Sequence, residues 1–489
     1  MIKQYRMTIL LAFVVAEVVT ACSGQTSLTS VPTGSTQSST QAPRTTQPST
    51  SVASSTQKST AIPPLVTEIT ASTATPAASS TSSAQIPTQV PRFTHPTEIT
   101  NPFYPVSLIG QSISQGTEGG RLFRTEVTLL SDTKTITWDG QQTETRVSQY
   151  VAYVDGKLAE VAYDSFAQAD DGSVYTLGAD VTHYQDGVVT DHRGSWLAGK
   201  DGALPTLIMP THPQVGQVFN PENLPGTATA TAEVVNLNEK ATTPGGPISN
   251  ALLIKETGKD GTIEYKVNAA NYGVVESRAE DKQASLVWLN RTDAKSRPVP
   301  EPLATLEAQA EDIMDVAPGG SWEHVTADVA AMVNAWQAYQ TRAADEAPQP
   351  FRGALTAALD RLQKASAAKA AAGTLQAAND VSAAVADLFT VYRPATPTDL
   401  GRLDVLERQV VLDAGAKDSA AIADSLAKIN AIWTRLKPVI LAHNGSTAAT
   451  QFENSLATQQ KALDAGELSA LTAEANDGLE LIDVLERLF

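Results

Sequence analysis

The sequence predicts a multidomain α and β protein: a disordered Ser/Thr/Pro tether, an antiparallel β meander forming a sandwich or partial barrel, then tandem duplicated four-helix bundles. Three observations predict it. Composition shifts abruptly along the 489 residues, from Ser, Thr, Pro and Gln to Val, Thr, Tyr and Leu, and then to alanine with apolar residues at helical spacing. Asp-Gly pairs recur in the middle zone at 139, 155, 171, 186 and 201, spaced 16, 16, 15 and 15 residues apart. The last zone matches itself at an offset of 97 residues. These changes draw boundaries at residues 1–21, 22–100, 101–293, 303–392 and 400–489.

The first segment reads as a secretory signal. Lys3 and Arg6 form a positive flank, Met7 to Ala16 are almost wholly apolar, and Val19-Thr20-Ala21-Cys22 closes the run on small residues. The apolar run falls short of the roughly 20 residues that a spanning helix needs. Those four residues resemble the lipobox of bacterial lipoproteins, with Glu17 a mild departure from the pattern. The resemblance implies cleavage after Ala21, lipid such as palmitate on Cys22, and an extracytoplasmic protein anchored to the bacterial cell membrane. Two or more acyl chains hold firmly where one binds only marginally. Cys22 is the only cysteine, so no intrachain disulfide can form and stability must come from packed cores.

Residues 23–100 carry charge only at Arg44, Lys58, Glu68, Arg92 and Glu98 and cannot bury enough apolar area to fold. A flexible chain of this length reaches roughly 50 Å, and its Ser/Thr-Pro character suits either an O-glycosylated stalk or a plain spacer. The net charge is −18. The acidic excess sits in both folded zones, which would repel a phosphate backbone, so no nucleic acid is expected as a partner.

Residues 101–293 read as strands between turn signals. Asp-Gly suits a two-residue hairpin because both central positions take positive φ, so the regular pairs imply strands running up and down. Gly178 and Gly194 mark bulges or bends, Pro205 to Pro247 is a Pro- and Gly-rich excursion, and Asp260-Gly261 adds one more hairpin. Polar and apolar residues alternate imperfectly, leaving the buried face open. Tyr150, Tyr153, Tyr163, Phe166, Tyr175, Tyr184 and Trp196 suit core packing, with a ligand-stacking surface as the alternative. Phe166-Ala167-Gln168, Tyr184 with Asp186-Gly187, the run Gly194 to Ala203, Ile208-Met209-Pro210 and Pro213-Gln214-Val215-Gly216 resemble a domain widespread among secreted bacterial proteins of unknown function. That resemblance spans roughly residues 101–276 and implies no activity.

After the stiff linker Arg297 to Pro302, Leu303, Leu306, Ile313, Val325, Val329, Met332 and Trp336 fall on Leu400, Leu403, Val410, Ile422, Leu426, Ile429 and Trp433 at the common offset. Ser321 falls on Asp418, both good helix caps. Breaks at Pro318-Gly319-Gly320, Pro348, Gly373, Pro394, Pro397, Gly415, Gly445 and Gly466 divide each repeat into four helices, and short loops make antiparallel neighbours. The predicted spans are 303–316, 321–345, 350–372, 374–392, 398–414, 418–442, 446–464 and 467–489.

Catalytic signatures are lacking. There is no Gly-x-Ser-x-Gly elbow, phosphate loop, dinucleotide fingerprint, His-Glu-x-x-His or haem motif. The densest polar group, Asp180, His183, Asp186, Asp191 and His192, could take a divalent cation, although aspartates are also what hairpin ends require. His324 with Asp328 one turn later could bind a metal weakly, but a solvated helix face is the far better account of that pair. No cofactor is expected. The sequence therefore favours a membrane-anchored binding or structural protein that contacts envelope protein or wall polymer. A ligand- or metal-binding receptor is the alternative, and an enzyme with an unrecognised site comes third.

Overall fold

Four of the six Asp-Gly pairs between residues 101 and 293 adopt the geometry that their chemistry favours. Both residues take positive φ at Asp139-Gly140 (43° and 71°), Asp155-Gly156 (49° and 77°), Asp186-Gly187 (49° and 76°) and Asp201-Gly202 (52° and 78°). Such turns match the twist of the strands they join. The first three close two-residue hairpins. The fourth turns a loop in which Gly199 N–H donates to the Ala203 carbonyl at 2.8 Å. At Asp171-Gly172 and Asp260-Gly261 only the glycine is left-handed. There the aspartate carboxylate accepts a hydrogen bond from the backbone two residues on, an alternative turn chemistry open to Asp.

The computed structural model describes residues 90–224 and 228–489; the signal segment, Ala21, Cys22 and the tether as far as residue 89 lie outside the described residues. The expected tether boundary at residue 100 is corrected, because residues 90–100 pack on the sheet: Ile99 is fully buried in its core, and Thr94 donates to the Asp170 carboxylate through N–H and Oγ1 at 2.7 and 2.8 Å. The strands are β1 (Ile109–Glu118), β2 (Arg121–Trp138), β3 (Gln141–Val154), β4 (Lys157–Gln168), β5 (Val174–Gln185), β6 (Val188–Asp191), β7 (Trp196–Leu197), β8 (Thr206–Met209), β9 (Val218–Leu224), β10 (Ala228–Thr243), β11 (Gly246–Thr257), β12 (Ile263–Ala269), β13 (Gly273–Arg278) and β14 (Lys282–Arg291). They form a 14-stranded antiparallel sheet in the order β6-β5-β4-β3-β2-β1-β14-β13-β12-β11-β10-β9, with short β7 and β8 both pairing to β5. Two meanders, β1–β6 and β9–β14, thus meet edge to edge at β1 and β14. The expected Pro- and Gly-rich excursion is corrected here, because it contains β8, β9 and the whole of β10. Pro221 is compatible with β9 because β9 ends the strand order, where a missing N–H costs no ladder bond.

The sheet is open and curled. Val174 and Leu177 of β5 and Met209 of β8 share a core with Phe219 of β9, Ala232 and Val234 of β10, and Leu252 and Ile254 of β11. The two ends of the strand order therefore face one interior. Gly178 flanks a bulge, as expected: Ser165 pairs with Gly178 and Phe166 with Thr176, leaving Leu177 over. A Cβ at Gly178 would lie 2.9 Å from the Trp196 carbonyl oxygen, so β7 reaches the sheet because no side chain is there. Gly194 (φ 95°) instead turns the loop between β6 and β7.

The helices are α1 (Glu301–Val316), α2 (Trp322–Ala343), α3 (Gln349–Ala367), α4 (Ala371–Tyr392), α5 (Thr398–Ala416), α6 (Ser419–Ala442), α7 (Ser446–Ala465) and α8 (Leu468–Glu486). In each set of four, sequence neighbours pack together and the first helix packs on the last. Each set has its own core. All seven matched apolar pairs are buried on both sides. The matched tryptophans also share a polar contact, since Trp336 donates to Thr356 at 3.2 Å and Trp433 to Glu453 at 3.3 Å, acceptors that are themselves 97 residues apart. Asp418 caps α6 by accepting from Ala421 N–H at 3.0 Å.

The proline linker suggests independent modules, but sheet and helices pack as one compact unit. Ile113 on β1 and Trp288 on β14 enter the core of the first bundle, and Ala431 of α6 packs on Val151, Leu158 and Val161. Arg435 holds Asp399 at 2.7 and 2.8 Å, and Arg124 holds Asp387 at 2.6 and 2.9 Å. Arg402 bridges both aspartates, and Glu126 on β2 lies among all three guanidiniums. Burial alone would raise the Glu126 carboxyl, but Arg402, Arg124 and Arg435 hold it down at about 2. Three cations meet three anions, so the network is neutral and fixes the helices on one face of the sheet.

Candidate functional site

Residues directly opposite on antiparallel strands share a face, and the register separates the two faces of this sheet. Glu126, Val151, Tyr153, Val161 and Tyr163 point to the helices. On the other face, Glu160 lies opposite Ala152 and His183, and Asp164 opposite Ser148. Further along, Glu118 pairs with Lys282, Glu256 with Glu264, and Lys266 with Ile254 and Ser277. Glu222 joins the same face through Ala230. The inside of the curl therefore carries six carboxyl groups, Glu118, Glu160, Asp164, Glu222, Glu256 and Glu264, against two amines, Lys266 and Lys282, all less than 10% exposed.

Lys266 Nζ lies 2.7 Å from Glu256 and 3.8 Å from Glu264, and Lys282 Nζ lies 3.9 Å from Glu118. Burial pushes Lys282 down, whereas Glu256 and Glu264 outweigh burial and keep Lys266 above its ordinary range. The remaining acids respond to the deficit of positive charge. Desolvation raises Glu160 and Glu222 to about 8 and Glu264 to about 7. Among the described residues Glu222 Oε2, Glu264 Oε1, Asn268 Oδ1 and Ser277 Oγ are buried without a hydrogen-bond partner.

At one end of this interior is a cavity of 110 Å³, somewhat smaller than the ~150 Å³ that holds a benzene molecule. Ser112, Ser114, Thr125, Ser148 and Tyr150 bring hydroxyls to its wall, Tyr104, Phe166 and Tyr272 bring rings, and Asp164 is the only charged residue lining it. Asp164 is 5% exposed, and burial pushes it up to about 7. No hydrogen bond or ion pair of its carboxylate exists among the described residues. The aromatic residues accordingly divide: Tyr150 and Phe166 line the cavity, Tyr153, Tyr163 and Tyr184 pack toward α6, and Tyr175 and Trp196 join the sheet's own core.

A larger cleft of 740 Å³ lies where the sheet meets both bundles, and Arg124, Glu126, Arg402 and Lys428 line it among apolar side chains. All four are already paired, Lys428 to Asp424 at 2.7 Å. The cleft therefore presents no uncompensated charge, and the cavity at Asp164 does.

The structure brings together only part of the hairpin cluster read from the sequence. His183 Nε2 lies 3.8 Å from Asp191 and 3.1 Å from the Arg193 carbonyl oxygen. Asp191 binds Arg193 at 2.9 Å, Asp186 binds Lys157 at 2.6 Å, and His192 Nδ1 lies 3.0 Å from the Val181 carbonyl oxygen. Asp180 is exposed, and its strand position puts it on the face opposite His183. Sequence reasoning missed Glu160 and Asp164. Their spacing of four along β4 signals one shared face, but a strand polar on one face and apolar on the other reads as polar outward, and here both faces are covered. No protein-family model matches the sequence, and no curated protein matches it.

Proposed function

We propose that the protein is a lipid-anchored extracytoplasmic receptor whose curled sheet binds a small amphipathic amine. The observation that supports this reading is Asp164, a buried carboxyl with no hydrogen bond or ion pair among the described residues, as the one charge among the described residues that line a cavity walled by hydroxyls and aromatic rings. Burying an unpaired carboxylate is costly, and a pocket of mostly apolar lining with one placed charge is the usual form of a small-molecule site. An ammonium group would supply the missing charge and hold Asp164 ionised, while the rings receive its carbon chain. The lipobox-like sequence at Val19 to Cys22 and the Ser/Thr/Pro tether suit a receptor held at the membrane, which would be exposed to solutes outside the cytoplasm.

The test uses the full chain with n-butylamine and n-butanol as probes, followed by calorimetry at neutral pH. Saturable binding of the amine but not the alcohol, lost in Asp164→Asn, supports the assignment. Equal behaviour of amine and alcohol, or binding unchanged in Asp164→Asn, overturns it. Cys22→Ser tests the anchor separately, because palmitate label and membrane fractionation should both be lost.

A further inference from the structure

The structure points to a second site, unrelated to the cavity in the sheet: we propose that Asp312, His324 and Asp328 bind one first-row divalent cation between α1 and α2. Sequence spacing places His324 and Asp328 one turn apart on α2. The fold adds Asp312 from the penultimate turn of α1, across the loop Ala317 to Ser321. His324 Nε2 lies 2.9 Å from Asp312 Oδ2 and 3.7 Å from Asp328 Oδ1, and one ligand atom from each residue falls within 4.8 Å of the others. Ligands about 2.0–2.2 Å from a shared ion at tetrahedral or octahedral angles are separated by roughly 3–3.5 Å, so these three are near bonding separation before any ion arrives.

Asp328 supplies the second, independent sign of a ligand. It is 4% exposed, and its Oδ2 has no hydrogen-bond partner among the described residues. A helix that needed only a solvated surface would not bury a carboxylate and leave one oxygen unmatched. Asp312 and His324 are 38% and 53% exposed at the side chain, so water can complete the coordination shell.

Two internal comparisons sharpen the assignment. Glu307, Glu311 and Asp404 form another three-carboxylate group, but the Arg408 guanidinium already sits among them, 2.9 Å from Glu311 and in contact with Asp404. That cation fills the place an ion would take. In the second bundle the positions 97 residues on from Asp312, His324 and Asp328 are Gln409, Ala421 and Ser425, which offer no imidazole and no carboxylate. The stoichiometry should therefore be one ion rather than two. An imidazole with two carboxylates is a mixed N/O donor set, for which Zn²⁺ should bind more tightly than Mn²⁺, and Mg²⁺ least.

The experiment is calorimetric titration of the chelator-stripped full chain with Zn²⁺, Mn²⁺ and Mg²⁺, with bound metal counted by elemental analysis. One equivalent of Zn²⁺ is expected, and His324→Ala and Asp312→Asn should each weaken it by roughly tenfold or more, since even losing an outer-shell partner costs 10–100-fold. His324 is exposed and Asp312 half-buried, so neither change opens the core, and an unaltered melting temperature in chelator verifies that. Glu311→Gln should leave Zn²⁺ binding unchanged. Absence of Zn²⁺ binding, or binding insensitive to both His324→Ala and Asp312→Asn, overturns the site.

Discussion

The two helical bundles share an apolar skeleton and differ in almost everything polar. Along α2 and α6, Val325, Val329, Met332 and Trp336 face their own core as Ile422, Leu426, Ile429 and Trp433 do. The other side of the same helices has diverged. α6 presents Asp424, Ala427, Ala431 and Arg435 to the sheet, whereas the matching Ala327, Ala330, Asn334 and Ala338 of α2 are exposed or half-exposed. Asp424 accepts from Leu158 N–H at 2.8 Å, and Arg435 donates to Gln149 at 3.2 Å. The cores diverge too, and at one place the difference is polar. Ala310, Leu362 and Val381 of the first bundle become Glu407, Gln459 and Gly478 in the second. Gln459 donates to Glu407 Oε1 at 3.0 Å, and a Cβ on Gly478 would come within 2.9 Å of that oxygen. A small residue thus became large while its neighbour became small. Duplication preserved what folds a bundle, and each copy then acquired its own surface.

The largest expected consequence of this divergence is at the sheet. Arg435→Ala leaves Asp399 and Glu126 buried without one of their cations, a class of change that costs about 3–5 kcal/mol. Ala338→Arg, which places the same side chain at the matching position of α2, should stay within about 0.5 kcal/mol because it adds a surface charge. Chemical denaturation of both variants measures the contrast, and equal effects would mean that α6 is not docked as described. Next in size is the polar core. Glu407→Ala, Gln459→Leu and Gly478→Val together install the first bundle's packing, and replacing buried polar groups by apolar ones of similar volume stabilises by about 1–4 kcal/mol in comparable cases. Gly478→Val alone should instead destabilise by roughly 1–3 kcal/mol through overpacking against Glu407. A triple variant no more stable than the parent would show that the two cores are not interchangeable.

A smaller contrast concerns two glycines in identical turns. Gly140 and Gly187 both follow an aspartate of positive φ, at 71° and 76°. Nothing lies within 4 Å of a Cβ built on Gly140, but one on Gly187 would fall 2.1 Å from the backbone of Ala423 and Asp424 in α6. Gly140→Ala should cost about 1–2 kcal/mol of left-handed strain alone. Gly187→Ala should add roughly 1–3 kcal/mol of overpacking, together with faster amide exchange at Leu158, whose N–H Asp424 accepts.

The limits of sequence reading follow from these same residues. Hairpins and helices were legible because Asp-Gly pairs, apolar spacing and breaker residues act locally. The repeat was legible because Trp336 and Trp433 keep their partners at one offset. The interior of the sheet was not. Glu160 and Asp164 alternate with Val161 and Tyr163, a pattern that announces two faces without saying that helices cover one and the curl encloses the other. The ionic joint was invisible for a related reason: Arg124 and Asp387 are 263 residues apart, and a charge on a strand is ordinarily a solvated one. Asp312 escaped because its partners lie beyond a turn, on another helix.

The least localised effect is on pH, and it separates the joint from the interior. Carboxyls raised by burial bind protons more tightly when folded, so their contribution is complete below the ordinary carboxyl range and is lost as pH rises through the folded values. Glu160, Glu222 and Glu407 reach about 8, and Asp164, Glu264, Glu307 and Asp404 about 7. Glu126, held at about 2, has the opposite sign: its contribution is present above the ordinary glutamate range and lost only as pH falls through that value. Stability should therefore peak at about pH 4 and decline from there to about pH 8, where the profile levels off, a loss of each 1 kcal/mol lowering the melting temperature by about 2–4 °C or less in a chain this long. The triple variant lacking Glu407 should show a shallower decline, as should Asp164→Asn. Arg435→Ala, by contrast, should lower the whole profile and flatten its acid side, because Glu126 and Asp399 lose a cation that holds them below the ordinary carboxyl range. A profile that rises toward pH 9 would mean that the interior acids are matched by charge after all, and would remove the basis for placing an ammonium ligand beside Asp164.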